Sequence, residues 1–288
     1  MAEIHRIAVI GAGTMGAGIG QVAAAAGYDV VVADTRSRAL AEARERAADG
    51  LARGVAKGKL TREEADAALG RFGVAGDVAE AASTADLVVE AIPESLELKR
   101  ELFAVLDLAA PPHAVLASNT SSLSITAIAE ATRRPAQVLG MHFFNPVPAM
   151  RLVELVRGQE TSDATLAAAR AVVERLGKTP IVVKDMPGFA TSRLGIVLGL
   201  EAIRMLEQGV ASAEDIDRAM ELGYNHPMGP LRLGDLVGLD VRLAIADHLH
   251  ATLKDDTYRA PELLRRMVAE GRLGRKTGEG FYRWEETR

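Results

Sequence analysis

The sequence predicts an α/β fold: a large domain on a mostly parallel sheet over residues 1–184, then a smaller all-helical domain over residues 185–288. Three observations carry that prediction. Short apolar runs rich in β-branched residues alternate with helix-length segments through the first part, the pattern of a parallel sheet covered on both faces. The alternation ends after Ile181-Val182-Val183, at the turn-like Lys184-Asp185-Met186-Pro187-Gly188. Beyond that break apolar residues recur at helical spacing, with no further strand series. A length of 288 residues agrees with about two domains.

Ile7-Ala8-Val9-Ile10 opens the strand series, and Val30-Val31-Val32-Ala33 continues it after a helix-length segment. Leu87-Val88-Val89, Ala114-Val115-Leu116-Ala117 and Val138-Leu139-Gly140-Met141 follow with helical stretches between them, and Ile181-Val182-Val183 closes the series. In the second part Leu194, Val197, Leu198, Met205 and Leu206 mark one helix, with Gly209 at its stop. Ser212-Ala213-Glu214-Asp215 starts the next, with Ser212 as cap and acids in the first turn. Helices then run to about Glu270.

Composition narrows the function classes. A hydrophobic share of 48% against 25% charged residues is ordinary for a globular chain and excludes a disordered one. Cysteine is absent, which excludes disulfides, zinc ribbons, iron–sulfur centres and a thiolate nucleophile. The net charge of -5 argues against a general electrostatic grip on nucleic acid or anionic membrane. The longest helical apolar stretch, Leu194 to Leu200, falls far short of the roughly 20 residues that span a bilayer. Met1-Ala2-Glu3-Ile4-His5-Arg6 lacks the pattern of a secretory leader, so the expected location is the cytoplasm.

Gly11-Ala12-Gly13-Thr14-Met15-Gly16 has the Gly-x-Gly-x-x-Gly spacing, which is weak alone and gains force from its context. It follows the strand ending at Ile10 and opens a helix to about Ala26, the layout of a Rossmann-type dinucleotide site. Gly11 permits the tight turn, Gly13 admits a pyrophosphate to the backbone, and Gly16 lets helix and strand pack closely. Amides and dipole at the helix start favour the anion. The second strand ends at Asp34, 18 residues past Gly16. A carboxylate there accepts both ribose hydroxyls and repels a 2′-phosphate, which selects NAD, although Arg36 nearby leaves NADP open. Lys276-Thr277 resembles the end of a phosphate-binding loop, but Arg275 replaces the required Gly and no strand precedes it.

His142 follows the fifth of these strands, at the carboxyl edge of the sheet where such folds bind ligands. Asn145-Pro146 and Pro148 stiffen the loop beyond it, and Glu154 sits in the next apolar segment, a costly place for an unpaired carboxylate. A His oriented by a carboxylate is a general acid/base arrangement. Taken singly, a hydrogen-bonded loop His and a solvated Glu account for both residues equally well.

Together these segments resemble the L-3-hydroxyacyl-CoA dehydrogenases, in particular their small bacterial 3-hydroxybutyryl-CoA branch. The likeness rests on His142-Phe143-Phe144-Asn145-Pro146-Val147-Pro148 with Glu154 twelve residues after the His, and it covers essentially the whole chain. It extends through Gly11 to Gly20, Val89-Glu90-Ala91-Ile92, Ser118-Asn119-Thr120-Ser121-Ser122, Pro187-Gly188-Phe189, Pro227-Met228-Gly229-Pro230 and Gly274 to Tyr282. The resemblance implies reversible NAD-dependent oxidation of a short L-3-hydroxyacyl-CoA to the 3-ketoacyl-CoA. It makes His142 the base, Glu154 the carboxylate that orients it, and Ser121 the hydroxyl on the substrate 3-oxygen, near the cofactor. It assigns Asn145, Glu94, Lys99 and Lys276 to cofactor contact, beside Gly11, Gly13, Thr14, Met15, Gly16 and Asp34 of the glycine loop and strand end. Lys57, in Lys57-Gly58-Lys59, falls where the family sets Lys against CoA phosphates; a solvated loop Lys is the alternative. The resemblance also implies a homodimer formed through the helical domain, and the chemistry calls for neither thiol nor metal.

One position departs from the family. After Pro187-Gly188-Phe189 the usual Asn is Ser192, shorter but still a donor and acceptor, which bears on substrate preference and rate. Two other readings stand beside the main one: a dehydrogenase of a free 3-hydroxy acid such as L-gulonate, and a non-catalytic NAD-binding relative. Lys57 and Lys59 favour the CoA substrate, and the intact His142 and Glu154 favour catalysis.

Overall fold

The computed structural model describes residues 3–284, and the chain divides into two compact units, Met1–Met186 and Pro187–Arg288. In the first unit the strands are β1 (Arg6–Ile10), β2 (Asp29–Ala33), β3 (Phe72–Ala75), β4 (Leu87–Glu90), β5 (Val115–Ser118), β6 (Val138–Phe143), β7 (Leu152–Arg157) and β8 (Thr179–Lys184). Between them lie α1 (Thr14–Ala25), α2 (Ser37–Ala56), α3 (Arg62–Arg71), α4 (Val78–Ala82), α5 (Leu96–Ala109), α6 (Ile125–Ala129) and α7 (Asp163–Arg175).

The eight strands form one sheet in the order β3-β2-β1-β4-β5-β6-β7-β8. Neighbours are parallel throughout except β6 and β7, which run antiparallel. The chain leaves β1 toward β2 on one side and later returns to β4 on the other, so the order reverses beside the carboxyl end of β1, the place where open α/β sheets bind ligands. Ile7, Val9, Val30, Val32 and Val89 share a core with Ile19 and Ala23 of α1, Ala47 of α2 and Val173 of α7. Ala8, Val88 and Leu116 alternate to the opposite face and are buried as well, which explains why the strands read as nearly unbroken apolar runs.

Two strands lie outside the sequence pattern. β3, Phe-Gly-Val-Ala, is a four-residue edge strand with a single β-branched residue. β7 has the apolar character noted above but pairs as a strand, which places Glu154 inside the sheet. His142 likewise belongs to β6 itself and not to the loop after it. The second unit holds α8 (Thr191–Glu207), α9 (Ala213–Gly223), α10 (Pro230–Val237), α11 (Leu239–Leu253) and α12 (Glu262–Ala269). Ser212 caps α9 by accepting the Asp215 amide at 3.1 Å, and Gly209 follows α8 at φ 72°. Ile196, Leu200, Ile203, Leu239, Leu249 and Leu264 form its core. Buried Asp235 anchors the last segment by accepting from the Phe281 and Tyr282 amides and the Trp284 indole, each at 2.9 Å. Among the described residues no helix is long and apolar enough to cross a membrane.

Candidate active site

The glycine loop packs as its spacing requires. Gly11 has φ 108°, and a Cβ there would come within 2.5 Å of the Ala91 carbonyl oxygen. A Cβ on Gly16 would overlap the Gly11 carbonyl oxygen, so α1 can approach the β1 turn only with glycine at that position. Gly13 differs, since its missing side chain would meet nothing within 4 Å. That open space lies at the start of α1, which has no side-chain cap and no acid in its first turn. A pyrophosphate fits this arrangement: backbone amides and the positive helix end face it, and the first turn of the helix brings no carboxylate against it.

Asp34 lies at the end of β2, 8% exposed, and its Oδ2 accepts the Ala12 amide at 3.0 Å, which ties the carboxylate to the glycine loop. The Arg36 side chain donates through Nε and Nη2 at 3.0 Å each, and the Arg36 amide adds a third bond. The Arg36 bonds outweigh the opposing effect of burial and, with the Ala12 amide, hold the Asp34 carboxyl down to about 2. The acid is therefore ionised and aimed at the loop, as ribose hydroxyls require. Arg36 is folded onto it, engaged with the carboxylate rather than extended toward a 2′-phosphate.

Beside the glycine loop a cleft of about 350 Å³ is lined by Met15, Ala91, Ile92, Glu94, Asn119, Ser121 and residues 142–145. His142 and Glu154 are cross-strand partners in register on β6 and β7, and Nδ1 lies 2.7 Å from Oε2. Glu154 is wholly buried and His142 is 7% exposed, so the pair interacts away from bulk water. Phe144 packs on the imidazole with ring centres 4.4 Å apart. The Asn119 side-chain oxygen accepts the Phe143 amide at 2.8 Å and so fixes the end of β6.

Opposite the histidine, Glu94 accepts from the Ser121 amide at 3.0 Å, the Ser121 hydroxyl at 3.2 Å and the Thr120 hydroxyl at 2.6 Å. Burial works to raise the Glu94 carboxyl, but the Thr120 bond, the Lys99 charge and the Ser121 amide together hold it below the usual carboxylate range. Lys99 does not line the cleft. Its side chain is 1% exposed, and its ammonium bridges buried Glu90 at 2.5 Å and Glu94 at 3.4 Å. Through its ion pair with Glu94, which lines the cleft, the lysine bears on the site from within the fold.

A second cavity of about 470 Å³ lies between α1, α2 and the loop after β6. Arg46, Arg53, Lys57 and Lys59 line it, and Asn145 borders both cavities. The remaining expected site residues lie in the second unit. Ser192 is in the first turn of α8, half-buried, and Lys276 is ion-paired with Asp240 at 2.6 Å. Among the described residues no group of three or more His, Cys, Asp or Glu side chains could hold a metal. Asn119 and Glu90 were not anticipated as site residues. Their signal is positional: each is at or just beyond the carboxyl end of a central strand.

Residues 6–186 match the NAD-binding domain of 3-hydroxyacyl-CoA dehydrogenases, and residues 188–284 match their C-terminal domain. The chain is 48% identical over 284 residues to a probable 3-hydroxybutyryl-CoA dehydrogenase of Bacillus subtilis, covering 99% of each. It is 50% identical to a probable 3-hydroxybutyryl-CoA dehydrogenase of Deinococcus radiodurans, covering 97% of this chain and all of the other. A solved structure of (S)-3-hydroxybutyryl-CoA dehydrogenase from Ralstonia eutropha superposes with a TM-score of 0.95 at 43% identity, covering 99% of this chain and 100% of that one. The chain belongs to the 3-hydroxyacyl-CoA dehydrogenase family and is an NAD-dependent oxidoreductase with an NAD-binding domain and a helical C-terminal domain.

Proposed function

We propose that the enzyme interconverts a short L-3-hydroxyacyl-CoA, such as 3-hydroxybutyryl-CoA, and the corresponding 3-ketoacyl-CoA, with His142 as general base. The observation that carries this reading is the His142–Glu154 pair, buried on adjacent strands, with His142 open to the same cleft as Ser121. A proton on Nδ1, donated to Glu154, assigns the basic lone pair to Nε2. Nε2 then takes the proton of the 3-hydroxyl, and the imidazolium that forms is stabilised by the Glu154 carboxylate. Glu94, held ionised, fixes Ser121 through the serine amide, and the hydroxyl turns its one proton from Glu94 to the 3-oxygen. NAD, when bound, supplies the hydride acceptor for C3. Asp34 takes the ribose hydroxyls and Gly13 with the α1 amides takes the pyrophosphate, which fixes the cofactor's entry into the cleft.

Four cations around the second cavity support a CoA thioester over a free hydroxy acid, because CoA carries several phosphate charges and a free acid carries one. Lys57 belongs to this set. The same reading makes the chain a cytoplasmic homodimer associating through its helical unit. Leu194, Leu222 and Tyr224 in that unit are 72%, 83% and 75% exposed, apolar side chains that a partner subunit would cover. The test of the reaction is a spectrophotometric assay of acetoacetyl-CoA with NADH, repeated with NADPH and with free acetoacetate. Turnover with acetoacetyl-CoA and NADH well above the other combinations is expected. Equal turnover of the free acid would replace the CoA reading, and sedimentation of a stable monomer would replace the dimer.

A further inference from the structure

Lys178 is a buried cation that the reaction above does not use. It leaves the turn after α7, where Gly177 adopts φ 70° and the Lys178 amide bonds back to the Val173 carbonyl at 3.1 Å. That turn sends the side chain under the loop joining β6 to β7, where it is 8% exposed. Its ammonium donates to two backbone carbonyls of the loop, Val147 at 2.6 Å and Met150 at 2.7 Å. Among the described residues it has no carboxylate partner within ion-pair distance, so the two carbonyls carry the solvation of the charge. Burial lowers its pKa, as expected for an ammonium compensated by dipoles alone.

The loop that Lys178 holds has few other anchors. Residues 145, 146 and 148–150 are exposed, and Val147 alone among residues 145–150 is buried. Val147 seats against Gly18 of α1, where a Cβ would come within 2.9 Å of its own Cβ. The loop is thus clamped from two sides, by apolar contact with α1 and by the ammonium beneath. Its placement matters to both cavities: Asn145 borders the cleft of His142, and residues 145–149 wall the basic cavity.

We propose that Lys178 is a positioning residue that fixes this shared wall, and so sets how acyl-CoA is seated relative to His142. The proposal rests on the acyl-CoA reading for its kinetic consequence, while its structural half stands on the loop alone. Removing the ammonium leaves two carbonyls without a donor and frees the loop, whereas the glycine loop and Asp34, which take the cofactor's pyrophosphate and ribose, are untouched; Asn145 is the one expected cofactor contact that lies on the loop.

The test compares Lys178→Met and Lys178→Arg with the parent protein. Lys178→Met is expected to raise KM for acetoacetyl-CoA severalfold and KM for NADH by clearly less, since Asn145 alone of the cofactor contacts lies on the loop, and Lys178→Arg to recover most of the loss. Amide hydrogen exchange at Ala149 and Met150, both bonded to the Pro146 carbonyl, is expected to quicken in Lys178→Met. If the parent protein does not turn over acetoacetyl-CoA, the acyl-CoA reading fails and the exchange data decide the structural half. Unchanged KM and unchanged exchange in Lys178→Met would overturn the proposal. So would equal impairment of both variants, or a Lys178→Met chain that fails to fold, since either assigns the residue to general stability.

Discussion

His142 and Glu154 face each other directly across the antiparallel junction of β6 and β7, with Nδ1 2.7 Å from Oε2. Direct cross-strand neighbours point to the same face of a sheet, so register alone brings the two side chains together. A slip of one residue on either strand would turn one of them to the opposite face. The junction is the single antiparallel pairing among the described strands of the sheet, and the turn-back of the chain there makes a twelve-residue separation a contact. The sheet therefore preorganises the imidazole before any substrate arrives.

Replacing Glu154 by Gln should preserve the fold and lower kcat for acetoacetyl-CoA reduction by about a hundredfold or more, by analogy with uncharging the orienting acid of a catalytic triad. KM for NADH should stay near that of the parent, because Asp34 and the glycine loop are unaffected. Steady-state kinetics checks both, and a rate within a few-fold of the parent would remove Glu154 from the mechanism.

If Asp34 takes the ribose hydroxyls, it sets the cofactor preference. Asp34→Ser should weaken NADH use by about tenfold to a hundredfold, the worth of hydrogen bonds to a charged group, and free Arg36 to improve NADPH use. The ratio of kcat/KM for the two cofactors reads this directly. The same acid makes stability depend on pH. Its folded value, about 2, lies below the ordinary 3.8, so its contribution is complete above 3.8 and is lost as pH falls toward 2. Asp34→Asn should flatten that part of the acid-unfolding curve, by less than the full shift implies because Arg36 is well exposed.

The basic cavity should behave as an anion site. Arg53→Ala with Lys57→Ala is expected to raise KM for acetoacetyl-CoA by about tenfold and to weaken its salt dependence, with KM for NADH unchanged. Loss confined to NADH would assign the cations to the cofactor instead.

Ser192→Asn places at the first turn of α8 the residue that the family resemblance leads one to expect. A several-fold change in KM or kcat for a short acyl-CoA is expected, and unchanged kinetics would remove Ser192 from the site.

Much of this was legible in the chain, and what was not has physical reasons. Gly11 and Gly16 could be read because the turn and the close approach of α1 leave no room for a Cβ. The strand series could be read because both sheet faces are buried and the strands are nearly all apolar. The pairing of His142 with Glu154 comes from the resemblance and not from the residues themselves, because the contact depends on the register of β7, an apolar run that does not announce its partner. Lys99, which the resemblance assigns to the cofactor, lies in α5, and its burial between Glu90 and Glu94 is not visible in the spacing. Lys178 left no signal at all, since the groups it binds are backbone carbonyls that any residue supplies.

The central claim is that His142 carries the proton. His142→Gln, measured with saturating acetoacetyl-CoA and NADH beside fluorescence titration of NADH binding, tests it most directly. The account predicts a kcat lower by about a thousandfold with NADH affinity within about twofold of the parent. Turnover near the parent level in a variant that still binds NADH would contradict it.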